Sequence, residues 1–183
     1  MEKTYIALLR GINVGGKNVI KMEKLKQCFE DLGFSDVKTY IQSGNVIFKT
    51  KDTNIQKLTK TIENQLLNTF FAQIKTAVFT ANELLRIVEN VPENFGSEPE
   101  KFRYDVWFLL PPLMANEVAA NVRLRDGVDF LHIGKSAVYS SRLISEAGKS
   151  YLSKINQTPI YQNLTIRNWN TTTKLLELAR KSE

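Results

Sequence analysis

Five consecutive buried-type residues, Tyr5 to Leu9, stop abruptly at a glycine-rich stretch, GINVGGKN, and the apolar pattern beyond that stretch leaves few folds open. From Lys21 the apolar residues Met22, Leu25, Phe29 and Leu32 recur at helical spacing, and Gly33 stands where a left-handed helix stop belongs. Two strand-like runs, Val37–Ile41 and Val46–Phe48, are then separated only by QSGN, whose Gly44 and Asn45 tolerate positive φ and suit a hairpin. Asn54 can cap a helix built on Ile55, Leu58, Ile62, Leu66 and Leu67, and Ile74–Thr80 returns as a strand. The order is β-α-β-β-α-β. It predicts a ferredoxin-like half, with an antiparallel four-stranded sheet and both helices on one face.

The order then starts again. Asn82 is placed to cap a helix over Glu83–Val91, and Pro92–Lys101 has loop composition. Tyr104–Leu110 reads as a strand stopped by Pro111 and Pro112, Met114–Leu124 as a helix, and Val128–Ile133 and Ala137–Ser141 as a pair of strands across Gly134 and Lys135. A helix is expected over Ile144–Ile155 and a loop over Gln157–Asn163. Asn170 or Thr171 is expected to cap a last helix carrying Leu175, Leu176, Leu178 and Ala179. No closing strand is apparent. The expected fold is therefore α+β, a tandem of two ferredoxin-like (split β-α-β) halves with antiparallel sheets, the second half degenerate. The first half takes residues 1–91 with its linking helix, and the second takes residues 92–183 with the C-terminal helix.

A chain of 183 residues can bury roughly 70% of its unfolded surface without covalent staples. Its one cysteine, Cys28, excludes an internal disulfide, and with His132 as the single histidine neither a metal-ligand set nor a cofactor motif is present. With no leader-like segment and no apolar run of about 18 residues, the expected setting is the cytoplasm, away from membranes. Lys and Arg outnumber Asp and Glu 25 to 19, giving +6. Such a surplus favours phosphate-bearing partners, yet it is dispersed rather than clustered as in a nucleic-acid tail.

The best candidate site is the glycine-rich loop. Gly11 to Asn18 reads G-x-x-x-x-G-K-N, one residue from the phosphate-cradling G-x-x-x-x-G-K-[ST]. Asn18 stands where a metal-holding hydroxyl belongs, and no strand ends in a metal-binding Asp, so nucleotide hydrolysis is not expected. In a ferredoxin-like half the first two strands are parallel, which brings this loop and the turn Gln42–Asn45 to the same edge of the sheet. Arg10, Lys17 and Lys21 would supply charge there, Gly11, Gly15 and Gly16 free N–H groups, and Asn13, Gln42, Ser43 and Asn45 neutral hydrogen bonds. The competing reading makes the same residues an ordinary strand exit and turn. Ser43 has no base identifiable in sequence and no G-x-S-x-G context, and no catalytic residue can be named. Trp169 beside Arg167 reads first as the anchor of the last helix.

ALLRGINVGGKN, TYIQSGNVIF and the late TIRNWNT together resemble a bacterial family of uncharacterised proteins known as domain of unknown function 1697. The resemblance is close over Ala7–Asn18, Tyr40–Phe48 and Arg167–Thr171, and looser over residues 92–164. It implies a tandem α+β fold and no established activity. The leading expectation is thus a binding module for a phosphate-bearing small molecule. Nucleic acid fits the charge but lacks the aromatic RNA-recognition run. An enzyme with its site in a cleft between the halves, and a protein-interaction or oligomer-forming module, are the alternatives.

Overall fold

The computed structural model describes residues 1–16 and 18–182. Among these residues there are five α-helices and eight strands, and the strands form two four-stranded antiparallel sheets, ordered β2-β3-β1-β4 and β6-β7-β5-β8. Both sheets have the ferredoxin-like order, so the tandem expected from the element sequence is the observed fold. Among the described residues no helix is long and apolar enough to cross a membrane.

The chain divides into two compact units, Met1–Leu85 together with Lys174–Glu183, and Arg86–Thr173. Element order places the boundary at 91/92, and the two compact units part at 85/86. The last turns of the C-terminal helix group with the first unit, whereas element order alone assigns the whole helix to the second half.

In the first unit β1 (Lys3–Leu9) is buried at every position from Thr4 onward, as a central strand should be. It pairs with β3 (Asn45–Thr50) from Lys3↔Thr50 to Leu8↔Asn45, and with β4 (Thr76–Thr80) from Tyr5↔Thr80 to Leu9↔Thr76. The edge strand β2 (Ser35–Tyr40) pairs with β3 and changes register between Ser35 and Lys38. Helix α1 (Met22–Glu30) buries Leu25, Cys28 and Phe29, and α2 (Ile55–Phe70) buries Leu58, Ile62 and Leu66, an i, i+4, i+8 stripe. Both stripes pack with Tyr5, Ala7, Leu9, Val46, Phe48 and Val78, so the helices lie on one face of the sheet. Phe48 is the centre of this core. It stacks on Phe34 at 4.5 Å and on Tyr5 at 5.7 Å, and meets Phe29 edge-on at 5.5 Å. Asn54 caps α2 as expected, its Oδ1 accepting from the Lys57 N–H at 3.0 Å. Helix α3 (Ala81–Glu89) is capped by Thr80 rather than by Asn82. The Thr80 hydroxyl accepts from the Glu83 N–H at 3.1 Å while the Glu83 carboxylate accepts from the Thr80 N–H at 2.8 Å, the reciprocal T-x-x-E arrangement.

In the second unit the central strand is β5 (Phe102–Leu109), flanked by β7 (Ala137–Leu143) and β8 (Leu164–Asn168), with β6 (Asp129–Ile133) on the edge. Thus the closing strand exists. Helix α4 is confined to Ala115–Asn121. The helix expected over Ile144–Ile155 and the loop after it are instead three 3-10 turns, Ala147–Lys149, Leu152–Gln157 and Pro159–Asn163. Gly148 and Pro159 both oppose an α-helix there. The turns still deliver Leu152, Ile155 and Ile160 to a core with Trp107, Val118, Val138 and Leu164. A buried carboxylate holds them: Asp129 accepts from the Ser150 hydroxyl, from the Tyr151 N–H at 2.8 Å and from the Arg125 N–H at 2.9 Å. Helix α5 (Trp169–Arg180) begins one residue before its expected cap, because Asn168 does the capping and accepts from the Asn170 N–H at 3.0 Å.

Candidate functional site

The glycine-rich stretch is a small hairpin. The Asn13 N–H donates to the Asn18 carbonyl at 3.1 Å, and between them Gly15 and Gly16 have φ of 58° and 74°, the pair of positive values a type I′ turn requires. Helix α1 starts only at Met22, so the loop does not run straight into a helix N-terminus as a phosphate-cradling loop does.

This hairpin is tied to the β2–β3 turn, the two meeting at one sheet edge as strand direction requires. The Leu9 N–H donates to the Gly44 carbonyl at 2.8 Å. The Asn13 side chain fastens three points: its amide donates to Gln42 O at 2.8 Å and Ile20 O at 3.0 Å, and its Oδ1 accepts from the Ile20 N–H at 2.7 Å. Gly44 has φ of 74°, and a Cβ there would lie 2.6 Å from Ile12 Cδ1 and 2.9 Å from Leu9 Cβ. Only glycine lets the turn sit this close.

Of the residues singled out in sequence, several therefore build the rim itself. Asn13 is spent on the staple just described. Asn45 is fully buried, donating to Tyr40 O at 2.9 Å and to Ser43 Oγ at 3.0 Å. Asn18 donates to Gly11 O at 3.2 Å. Their amides are internal fasteners, a role that spacing alone could not distinguish from ligand binding. Gly11, Gly15, Gly16, Gln42 and Lys21 are exposed, while Arg10 and Ser43 are half-buried at the same edge. A Cβ at Gly11, Gly15 or Gly16 would meet nothing within 4 Å, so the outer surface of the hairpin is open. Lys17 lies outside the described residues.

Other chemistry-bearing residues sit elsewhere. His132 is exposed on β6, with its ring 6.1 Å from that of Tyr139. Burial pushes the Cys28 thiol up, and Cys28 packs in the first core. Arg167 is 9% exposed, donates to Ile166 O at 2.9 Å, and has its pKa pulled down to about 10 by burial. Among the described residues no three His, Cys, Asp or Glu side chains are grouped to hold a metal ion.

Residues 2–139 match the family described as protein of unknown function, DUF1697. The chain belongs to this family. The DUF1697 match includes the glycine hairpin and the β2–β3 turn, and it ends before Arg167–Thr171. A solved structure, that of a conserved bacterial protein from Streptococcus pneumoniae, is similar along nearly all of both chains: 27% identity over 98% of this chain and 99% of the other, with a TM-score of 0.85. Among curated proteins none matches.

Proposed function

We propose that this DUF1697 protein is a binding module for a phosphate-bearing small molecule, received at the edge formed by the glycine hairpin and the β2–β3 turn. The observation that carries this reading is the open tip at Gly15 and Gly16. Two successive positive-φ residues face no protein atom at their Cβ positions, on a hairpin clamped from below by Asn13 and Gly44. A rigid turn with accessible backbone N–H groups suits an anion, because its donors are held in place before the ligand arrives. Arg10 and Lys21 bring positive charge to the same edge, and Ser43 a hydroxyl. Asn13 and Asn45 serve the site by shaping it.

The test is Arg10→Ala. A charge-assisted hydrogen bond is worth roughly 1.5–3 kcal/mol, so the substitution should weaken binding of inorganic phosphate or a nucleotide about ten- to a hundred-fold in a variant that still folds. Thermal melts of wild type and variant against a phosphate and nucleotide panel read both quantities. A wild type that shows no ligand-induced shift, with a variant that loses several degrees, would make Arg10 a structural residue and remove the anion reading.

A further inference from the structure

Alternation along the strands of the second sheet puts Phe102 and Tyr104 of β5, Tyr139 and Ser141 of β7, and Phe130 and His132 of β6 on one face. Within that face Ser141 lies directly across from Tyr104 on one side and from Phe130 on the other. It is the small residue among large ones. The rings around it touch in sequence: Phe130 meets Phe102 at 5.9 Å, Phe102 meets Tyr104 at 6.0 Å, and Tyr104 meets Phe95 at 4.9 Å. Phe95 then meets Tyr139 at 5.7 Å, and Tyr139 meets His132 at 6.1 Å. His132 and Phe130, two residues apart on β6, bring the circuit back to its start.

The six rings and Ser141 line a cavity of about 270 Å³, which belongs wholly to the second unit. None of the five ring contacts is a parallel stack, the interplanar angles running from 42° to 79°. The rings therefore stand as walls at angles to one another instead of closing face to face. The loop that supplies Phe95 also brings Glu93 to the lining, an exposed carboxylate with no ion-pair partner among the described residues. Among the described residues no Lys or Arg lines the cavity. Lys101 stands 5.2 Å over the Phe102 ring but outside the lining, and Glu98 offsets its charge at 3.4 Å.

We propose that this cavity binds a small quaternary ammonium compound, its methylated head among Phe95, Phe102, Tyr104 and Phe130 and its charge compensated by Glu93. Aromatic faces carry negative potential and attract cations, most strongly where water is displaced. A quaternary head has no N–H to satisfy, so walls without acceptors suit it better than they suit a primary amine. An anion would be repelled by Glu93. The size is at the small end of ligand sites, enough for a head group and a short tail. This site shares no residue with the glycine rim and stands or falls independently of it.

The experiment titrates the full-length protein by calorimetry with choline and with 3,3-dimethylbutanol, the uncharged molecule of the same shape. Choline should saturate at millimolar concentration or below, and the alcohol should bind at least about tenfold more weakly. Phe130 is 46% exposed on the edge strand, so it can be changed without opening the core. Phe130→Leu keeps apolar bulk but removes a ring and should weaken choline about three- to tenfold, whereas Phe130→Tyr should retain it. Glu93→Gln, an exposed change, should weaken it about twofold or more. Arg10→Ala should leave this affinity unchanged. The proposal is overturned if choline does not saturate at millimolar concentration, if the alcohol binds as well, if Phe130→Leu and Glu93→Gln, both folded, bind choline like wild type, or if Arg10→Ala abolishes the heat and so moves the site to the rim.

Discussion

The two units solve one topological problem with different material. In each, the chain leaving the third strand must cross a sheet face, cover it and return as the fourth strand. The first unit does this with α2, sixteen residues whose own backbone hydrogen bonds run through the element and whose stripe of Leu58, Ile62 and Leu66 faces the sheet. The second does it with 3-10 turns, whose bonds are short-range, and compensates with the Asp129 carboxylate, which gathers two backbone N–H groups and a hydroxyl. Strand order and the apolar face that needs covering are common to both. A helix is one way to supply the cover, and a stapled irregular segment is another.

The strongest test of that contrast removes the fastening of each crossover. Asp129→Ala leaves three donors without their acceptor in a buried place and should cost about 3–5 kcal/mol in urea unfolding. Asn54→Ala removes only the α2 cap and should cost about 1 kcal/mol. If the two losses were equal, the carboxylate would not be standing in for the helix.

A second test uses alkaline pH. Burial pushes Tyr139 on β7 up from 10.0 to about 12, and its hydroxyl donates to Ile87 O at 2.7 Å. A raised pKa means that the folded state favours the protonated phenol. Its contribution is therefore complete below about pH 10 and is lost as pH climbs towards 12. Denaturation midpoints of wild type should fall across that window, and Tyr139→Phe should remove that part of the slope. A phenol absorbance titration in the folded protein that shows every tyrosine ionising near 10 would contradict it.

The smallest expected effect is a gain, in the better-formed crossover. Phe71 ends α2 in the left-handed conformation with φ of 53°, and it is 90% exposed. Glycine accepts that conformation without a Cβ penalty, so Phe71→Gly should stabilise by about 0.5–1 kcal/mol, measured as a shifted urea midpoint at constant m. A loss would show that the exposed ring holds the end of the helix.

Legibility in the sequence tracks the same contrast. The first unit could be read because Leu58, Ile62 and Leu66 repeat at helical spacing and β1 is a solid apolar run. In the second, β8 was hidden because two of its buried residues are Thr165 and Arg167, polar types that do not announce a strand. Leu152, Ile155 and Ile160 looked helical in part but are interrupted by Pro159. The rim was legible as a place, since strand direction alone brings Asn13 and Gln42 together. The work of its residues was not, because Asn13 and Asn45 spend their amides on backbone groups distant in sequence or hidden in the turn.

The division of the chain has a consequence for its synthesis. The first unit is interrupted after Leu85 and resumes at Lys174, where Leu175, Leu176 and Ala179 are all buried. A ribosome therefore releases every residue of the second unit before it supplies the closing piece of the first. On a nascent chain the unit that begins first is therefore the one that finishes last.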